Sequence, residues 1–115
     1  MTDTLPLDGI RVVDLSRVLA GPFATMLLAD LGADVIKVEP PEGDESRGWG
    51  PPWWGDPEDR RSAYFASINR GKRSVVIDLR TNGGRGALSR LLAGADLLVH
   101  NYPPGTAARL GVDAD

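Results

Sequence analysis

The sequence predicts an α/β fold: a Rossmann-like, mostly parallel sheet assembled from βαβ units. Three observations predict it. Short apolar runs rich in β-branched residues stand at Arg11–Leu15, Asp34–Glu39, Ser74–Leu79 and Asp96–His100. Helical patterns separate the first two runs and the last two. Strand, helix and strand succeed one another within about thirty residues, the length of one crossover unit, which is nearly always right-handed. At 115 residues the chain is one domain, large enough to bury a core without staples.

Each element has its own local reason. The turn residues Leu7-Asp8-Gly9 precede RVVDL, which reads as a strand buried on both faces apart from its ends. Gly21-Pro22 opens a helix with Pro22 at the first helical position, where its missing N–H is no loss. Phe23, Met26, Leu27, Leu28 and Leu31 recur at helical spacing, and Gly32 suits the residue after the helix. The second strand, DVIKVE, is stopped by Pro40-Pro41. Over residues 40–61 periodicity disappears: five prolines and three tryptophans (Trp49, Trp53, Trp54) mark a long Pro/Gly/Trp loop, of a length usually tied to function.

Ser62–Asn69 reads as a short helix with Tyr64, Phe65 and Ile68 on one side. The basic turn Arg70-Gly71-Lys72-Arg73 leads into the third strand, Ser74–Leu79. Thr81 or Asn82 caps a helix reaching about Ala93, with Leu88, Leu91 and Leu92 inward and Gly83, Gly84 and Gly86 weakening its first turn. After the fourth strand come a turn at Asn101–Gly105 and a short helix at Ala107–Leu110. Asp113 stands where it would cap a further helix.

Composition excludes several chemistries. Thirteen Lys and Arg against sixteen Asp and Glu give a net charge of −3, which argues against nucleic acid as a partner. With no cysteine there are no disulfides, thiolate metal sites or Cys nucleophile, and the lone His100 is too little for a histidine metal site. No metal is expected. The N-terminus lacks the basic region of a secretory signal and no apolar run is long enough for a membrane span, so the expected location is cytoplasmic with no membrane partner.

In open parallel sheets ligands gather at the carboxyl ends of the strands. Here those ends are Ser16–Ala20, Glu39-Pro40, Leu79-Arg80 and His100–Tyr102. The first loop leads into a helix N-terminus, which favours an anion, and Arg17 offers a charged fork; from spacing alone a solvated arginine beside a plain turn is the simpler account. Glu39 stands about where dinucleotide-binding domains carry a ribose-binding acid, yet Ser16–Thr25 holds one glycine, so a nicotinamide dinucleotide is disfavoured. Arg70, Lys72, Arg73 and Arg80 surround one strand, as suits either a polyanionic small ligand or an edge charged against aggregation. Asn101 reads as a ligand contact or, more simply, a turn former, and the tryptophans as a pocket lining or a cover for the sheet. No residue stands out as a nucleophile or general base.

The ordered string LDGIRVVDLSRVLAGPFATMLLADLGADVIKVEPPEGDESR, followed by Asn69–Ser74, Ile77–Leu79 and His100–Gly105, resembles the class III CoA-transferases (CaiB/BaiF type) from Leu7 to Asp113. The resemblance implies the N-terminal, incomplete portion of a large Rossmann-like domain that carries the CoA nucleotide, in a subunit several times longer and interlocked with a second copy as a homodimer. By position it implies CoA contacts at Arg17, Leu19 and Ala20, at Ile77, Asp78, Leu79 and Arg80, and at Asn101, Tyr102 and Arg109. Pro40 departs from the pattern, since relatives often place a basic residue there. The implied substrates are an acyl-CoA and a carboxylic-acid acceptor. The implied nucleophile, an aspartate forming an aspartyl-CoA thioester, is expected beyond this chain, which would then be inactive alone. The family also holds α-methylacyl-CoA racemases, which exchange a proton beside the thioester. A non-catalytic nucleotide-binding or interaction module is the alternative from another class.

Overall fold

The computed structural model describes residues 3–113, and at its centre is a four-stranded sheet in which every pairing is parallel. In chain order the elements are β1 (Arg11–Asp14), α1 (Ala20–Asp30), β2 (Asp34–Glu39), β3 (Trp53–Trp54), β4 (Arg61–Ser62), α2 (Ala63–Ile68), β5 (Arg73–Val76), α3 (Asn82–Ala93), β6 (Leu97–Val99) and α4 (Thr106–Leu110). The sheet order is β5-β2-β1-β6. Val13 lies opposite Ile36 on one side and Leu98 on the other.

Neighbouring residues of β1 point to opposite faces, and each face has its own core. Val12 joins Ala33 and Val35 beneath Leu28 and Ala29 of α1. Val13 joins Leu15, Leu88 and Val112 beneath Leu91, Leu92 and Leu110 of α3 and α4. Val12 and Val13 are both fully buried, each contributing about 1.5–3 kcal/mol of apolar burial. Both faces of the sheet are therefore covered, as a parallel sheet requires. The chain leaves β1 toward β2 but reaches β6 on its other side, so the sheet's winding reverses between β1 and β6.

Several sequence expectations change. β5 ends at Val76, not Leu79, because its partner β2 stops at Glu39 before Pro40; Ile77 adds one last backbone bond to the Glu39 carbonyl (2.9 Å). Ile77–Arg80 therefore form the loop after the strand, not the strand itself. The first strand likewise ends at Asp14 and the fourth is only Leu97–Val99. α1 begins at Ala20, which places Pro22 in its third position, still inside the turn that has no intrahelical acceptor for an N–H. Its buried face is Pro22, Thr25 and Met26, whereas Phe23, Leu27 and Leu31 are nearly half exposed.

The 40–61 stretch is not featureless. A 3₁₀ turn at Glu45–Gly48, capped by Asp44, is followed by the antiparallel β3–β4 hairpin. Glycine in the first turn of α3 has a packing reason: a Cβ on Gly84 would run into the Asp78 carbonyl, so only glycine lets this helix sit on the loop after β5. Thr81 caps that helix by accepting from the Gly84 N–H (2.9 Å). A helix capped by Asp113 would lie outside the described residues. No described helix is long and apolar enough to cross a membrane.

Candidate functional site

A cleft of about 830 Å³ opens at the carboxyl ends of the strands, beside the point where the winding reverses. Position and chemistry agree with the general rule for open α/β sheets. Of the residues expected at a site, Arg17, Ile77, Asp78, Leu79, Arg80, Tyr102 and Arg109 line it, while Leu19, Ala20 and Asn101 do not. Leu19 is the N-cap of α1 and gives no side-chain bond, so the first-turn N–H groups stay open.

Asn101 has a different task. Its side-chain carbonyl accepts from the Arg17 N–H (3.0 Å) and its amide donates to the Arg17 carbonyl (2.6 Å), which ties the loop after β6 to the loop after β1. Next to this clamp Val18 adopts φ 75°, a region that a β-branched residue seldom occupies. Gly21 is needed where the loop folds back, since a Cβ there would strike the Ser16 side chain.

Beneath the loop lies a buried ionic floor. Asp14, fully buried, accepts from the Ser16 hydroxyl and N–H, from the Thr25 hydroxyl (2.6 Å) and from Lys72 (3.0 Å). Burial pushes the Asp14 carboxyl up, but those hydrogen bonds and the Lys72 charge outweigh it and hold it below the ordinary range. Burial also pulls the Lys72 ammonium down, against the pull of Asp14. Lys72 donates further to the Pro22 carbonyl (2.9 Å) and to Asn69 (2.8 Å). Lys37, equally buried, donates to the Ser16 carbonyl (3.3 Å) and pairs with Asp44 (2.8 Å).

Glu39 closes the floor. Burial pushes it up, but a two-pronged bond from Arg47 (2.7 Å to each oxygen), the Ser74 hydroxyl and the Asp44 N–H (2.9 Å) bring it down to about 2. The acid at the end of β2 is thus spent on fastening the 3₁₀ turn. It is not free to bind a ribose.

The basic cluster expected around β5 does not assemble. Arg70 pairs with Asp30, Arg73 with Asp34, and Lys72 is consumed by Asp14, all at or just before the start of the strand; of these four, Arg80 alone reaches the cleft, where Asp78 (2.9 Å) and Glu42 (3.8 Å) engage it. A strand carries its two ends apart, so closeness in sequence does not become closeness in space. Among the described residues Arg17 and Arg109 line the cleft with no carboxylate within ion-pair distance, and Arg109 meets only the Thr106 hydroxyl (3.4 Å). Tyr102 stacks on His100 (5.3 Å between centroids) and lies half-buried; burial raises its phenol against the opposing charge of Arg17.

Sequence reasoning missed the contribution of the Pro/Trp stretch, from which Glu42, Asp44, Glu45 and Arg47 line the cleft. The usable signal was Asp44-x-Ser46, an acceptor two residues before its donor, with Arg47 opposite in charge to Glu39. Among the described residues no group of three or more His, Cys, Asp or Glu is arranged to hold a metal ion.

The model of CoA-transferase family III matches residues 7–115. The succinate–glutarate CoA-transferase of Agrobacterium fabrum is 51% identical over 111 residues, covering 94% of this chain and 28% of that protein. The human succinyl-CoA:glutarate CoA-transferase is 46% identical over 113 residues, 97% of this chain and 25% of its own length. The crystal structure of a CaiB/BaiF family protein from Brucella suis superposes with a TM-score of 0.90 at 50% identity, covering 96% of this chain and 29% of that one. The chain spans about a quarter of the length of these curated relatives.

Proposed function

The chain belongs to CoA-transferase family III, and from that premise we propose that its cleft binds the nucleotide end of CoA as the N-terminal CoA-binding part, residues 1–115, of an enzyme that moves CoA between carboxylic acids. What carries this is the placement of Arg17 and Arg109, two guanidinium groups without carboxylate partners among the described residues, in the cleft beside the sheet's reversal point. CoA presents a diphosphate and a 3′-phosphate, which guanidinium forks recognise well. Leu79, Ile77 and Tyr102 supply apolar and aromatic wall for the adenine, and Arg80 exchanges part of its bond to Asp78 for phosphate. Leu19 and Ala20, at the open N-terminus of α1, take the part of CoA nearer the thiol, over the loop that Asn101 fixes.

The reaction itself follows the family's chemistry. A carboxylate attacks the acyl-CoA thioester and expels the CoA thiolate; the thiolate attacks the resulting anhydride, leaving an aspartyl-CoA thioester and releasing the first acid. The acceptor acid then takes CoA in the reverse sense. The buried carboxylates of this chain are not free for that role, since Asp14, Glu39 and Asp44 are each held in ion pairs. Following the family resemblance, we place the nucleophilic aspartate outside these residues, in which case the chain by itself has no turnover. The two curated relatives named above are a succinate–glutarate and a succinyl-CoA:glutarate CoA-transferase, so a short dicarboxylate is the acceptor class proposed here, with transfer favoured over isomerisation. A cytoplasmic homodimer is the assembly proposed for the intact protein.

Thermal denaturation with CoA, acetyl-CoA, NAD and AMP tests the site. CoA and acetyl-CoA at about a hundred times Kd raise stability by about 2.7 kcal/mol, whereas NAD does not. An NAD-selective shift, or none with any nucleotide, would remove the assignment.

A further inference from the structure

The carbonyls of the loop between β1 and α1 are held one after another by side chains from distant segments: Ser16 by Lys37 (3.3 Å), Arg17 by Asn101 (2.6 Å) and Val18 by the Tyr64 hydroxyl (2.9 Å). Val18 is the one non-glycine residue at positive φ among those described, at 75°. Val18 is 43% exposed, so packing does not impose that conformation. A strained backbone persists only where its surroundings over-determine it. At Val18 the fastening bond comes from Tyr64, which does not line the cleft and has no part in the assignment above.

We propose that Tyr64 is a positioning residue for the acyl-CoA site: its hydroxyl holds Val18 in the left-handed conformation and so sets the backbone of Arg17 and Leu19 on either side. The proposal rests on the CoA reading of the cleft. Tyr64 is itself placed by α2, which Ser62 caps through the Phe65 N–H (3.1 Å), and its ring tilts against Trp49 at 5.1 Å and 54°. Trp49 thereby reaches the ligand loop through the Tyr64 phenol. The Trp49 indole itself does not line the cleft.

Two variants of the intact protein test this. Tyr64→Phe removes one oxygen from a half-buried ring and leaves the helix cap alone. It should keep its unfolding midpoint near that of the wild type, let Val18 leave positive φ in its crystal structure, and raise the Kd for CoA about three- to tenfold, the worth of one hydrogen bond. Val18→Asn puts at that position a residue that tolerates the left-handed region without help. In the Val18→Asn background the same Tyr64→Phe change should raise Kd less than about twofold. If Tyr64 serves only to anchor α2, the loss of CoA affinity would be the same in both backgrounds, and the proposal fails. Unchanged CoA binding by Tyr64→Phe also overturns it. Were the wild type to bind no CoA, the reading of the cleft would fall; Val18 remaining left-handed in Tyr64→Phe crystals would then refute the positioning claim independently.

Discussion

Two groups of ion pairs use the same residue types to opposite effect. At the starts of β1, β2 and β5, Asp34 meets Arg11 (3.2 Å) and Arg73 (2.7 Å) with side chains 37–64% exposed, and Arg70 meets Asp30 (2.7 Å) in the same way. Between the sheet and α1, Asp14–Lys72 and Lys37–Asp44 pair with their side chains at most 3% exposed. Exposed pairs are screened and hold two long side chains at an entropic penalty, so they add little. Buried pairs demand that every lone pair and proton be satisfied, and in this protein the spare donors go to the carbonyls of Ser16 and Pro22. The difference teaches that the chain uses its buried charge to fix the segments around the carboxyl ends of β1 and β2: the loop after β1, the start of α1 and the 3₁₀ turn.

Breaking a buried pair is the largest test of that contrast. Lys72→Met should cost about 3–5 kcal/mol in urea denaturation, because Asp14 stays buried with one donor gone. Loss of less than 1 kcal/mol would show that the floor contributes as little as the surface. Acid gives the next effect. Glu39 has its folded pKa lowered to about 2 from 4.5, so its contribution is complete above the unfolded value and is lost as pH falls from about 4.5 toward 2. That is about 3 kcal/mol, and Asp14 and Asp44 shift in the same direction. Urea midpoints at pH 7, 4 and 3 should fall steeply in the wild type and less steeply in Glu39→Gln.

Smaller effects separate the loop from the cleft walls. Asn101→Ala frees both backbone groups of Arg17 and should weaken CoA about tenfold with little change in unfolding. Arg80→Ala should weaken it only about two- to threefold, since that guanidinium is exposed and already engaged by Asp78. Equal CoA affinity in both variants and the wild type, by calorimetry, would refute these positions. Arg73→Ala, on the exposed side of the comparison, should leave both the unfolding midpoint and CoA affinity where they were.

How legible this was depended on whether a feature is local. The βαβ order follows from periodicity, which was enough to put Arg17, Leu79 and Tyr102 at the carboxyl ends of the strands, although β1, β5 and β6 stop earlier than their apolar runs do. Burial of charge is not local. Nothing in the sequence around Lys72 distinguishes it from Arg70 and Arg73; only α1 packing over β1 brings Asp14, Thr25 and Pro22 around its ammonium. Positive φ at Val18 is likewise invisible, because a β-branched residue points away from it and the bonds to this loop come from Tyr64 (to Val18) and Asn101 (to Arg17), far along the chain. The hairpin at Trp53–Ser62 was hidden by proline and glycine around strands of two residues each.

Backbone amide NMR during a CoA titration of the intact protein bears most directly on where the ligand goes. The largest shifts should fall at Arg17, Ile77–Arg80, Tyr102 and Arg109, with Arg11, Arg70 and Arg73 unmoved. Shifts gathered around Arg70–Arg73, or a spectrum that CoA leaves unaltered at Arg17 and Arg109, would contradict the assignment of the cleft.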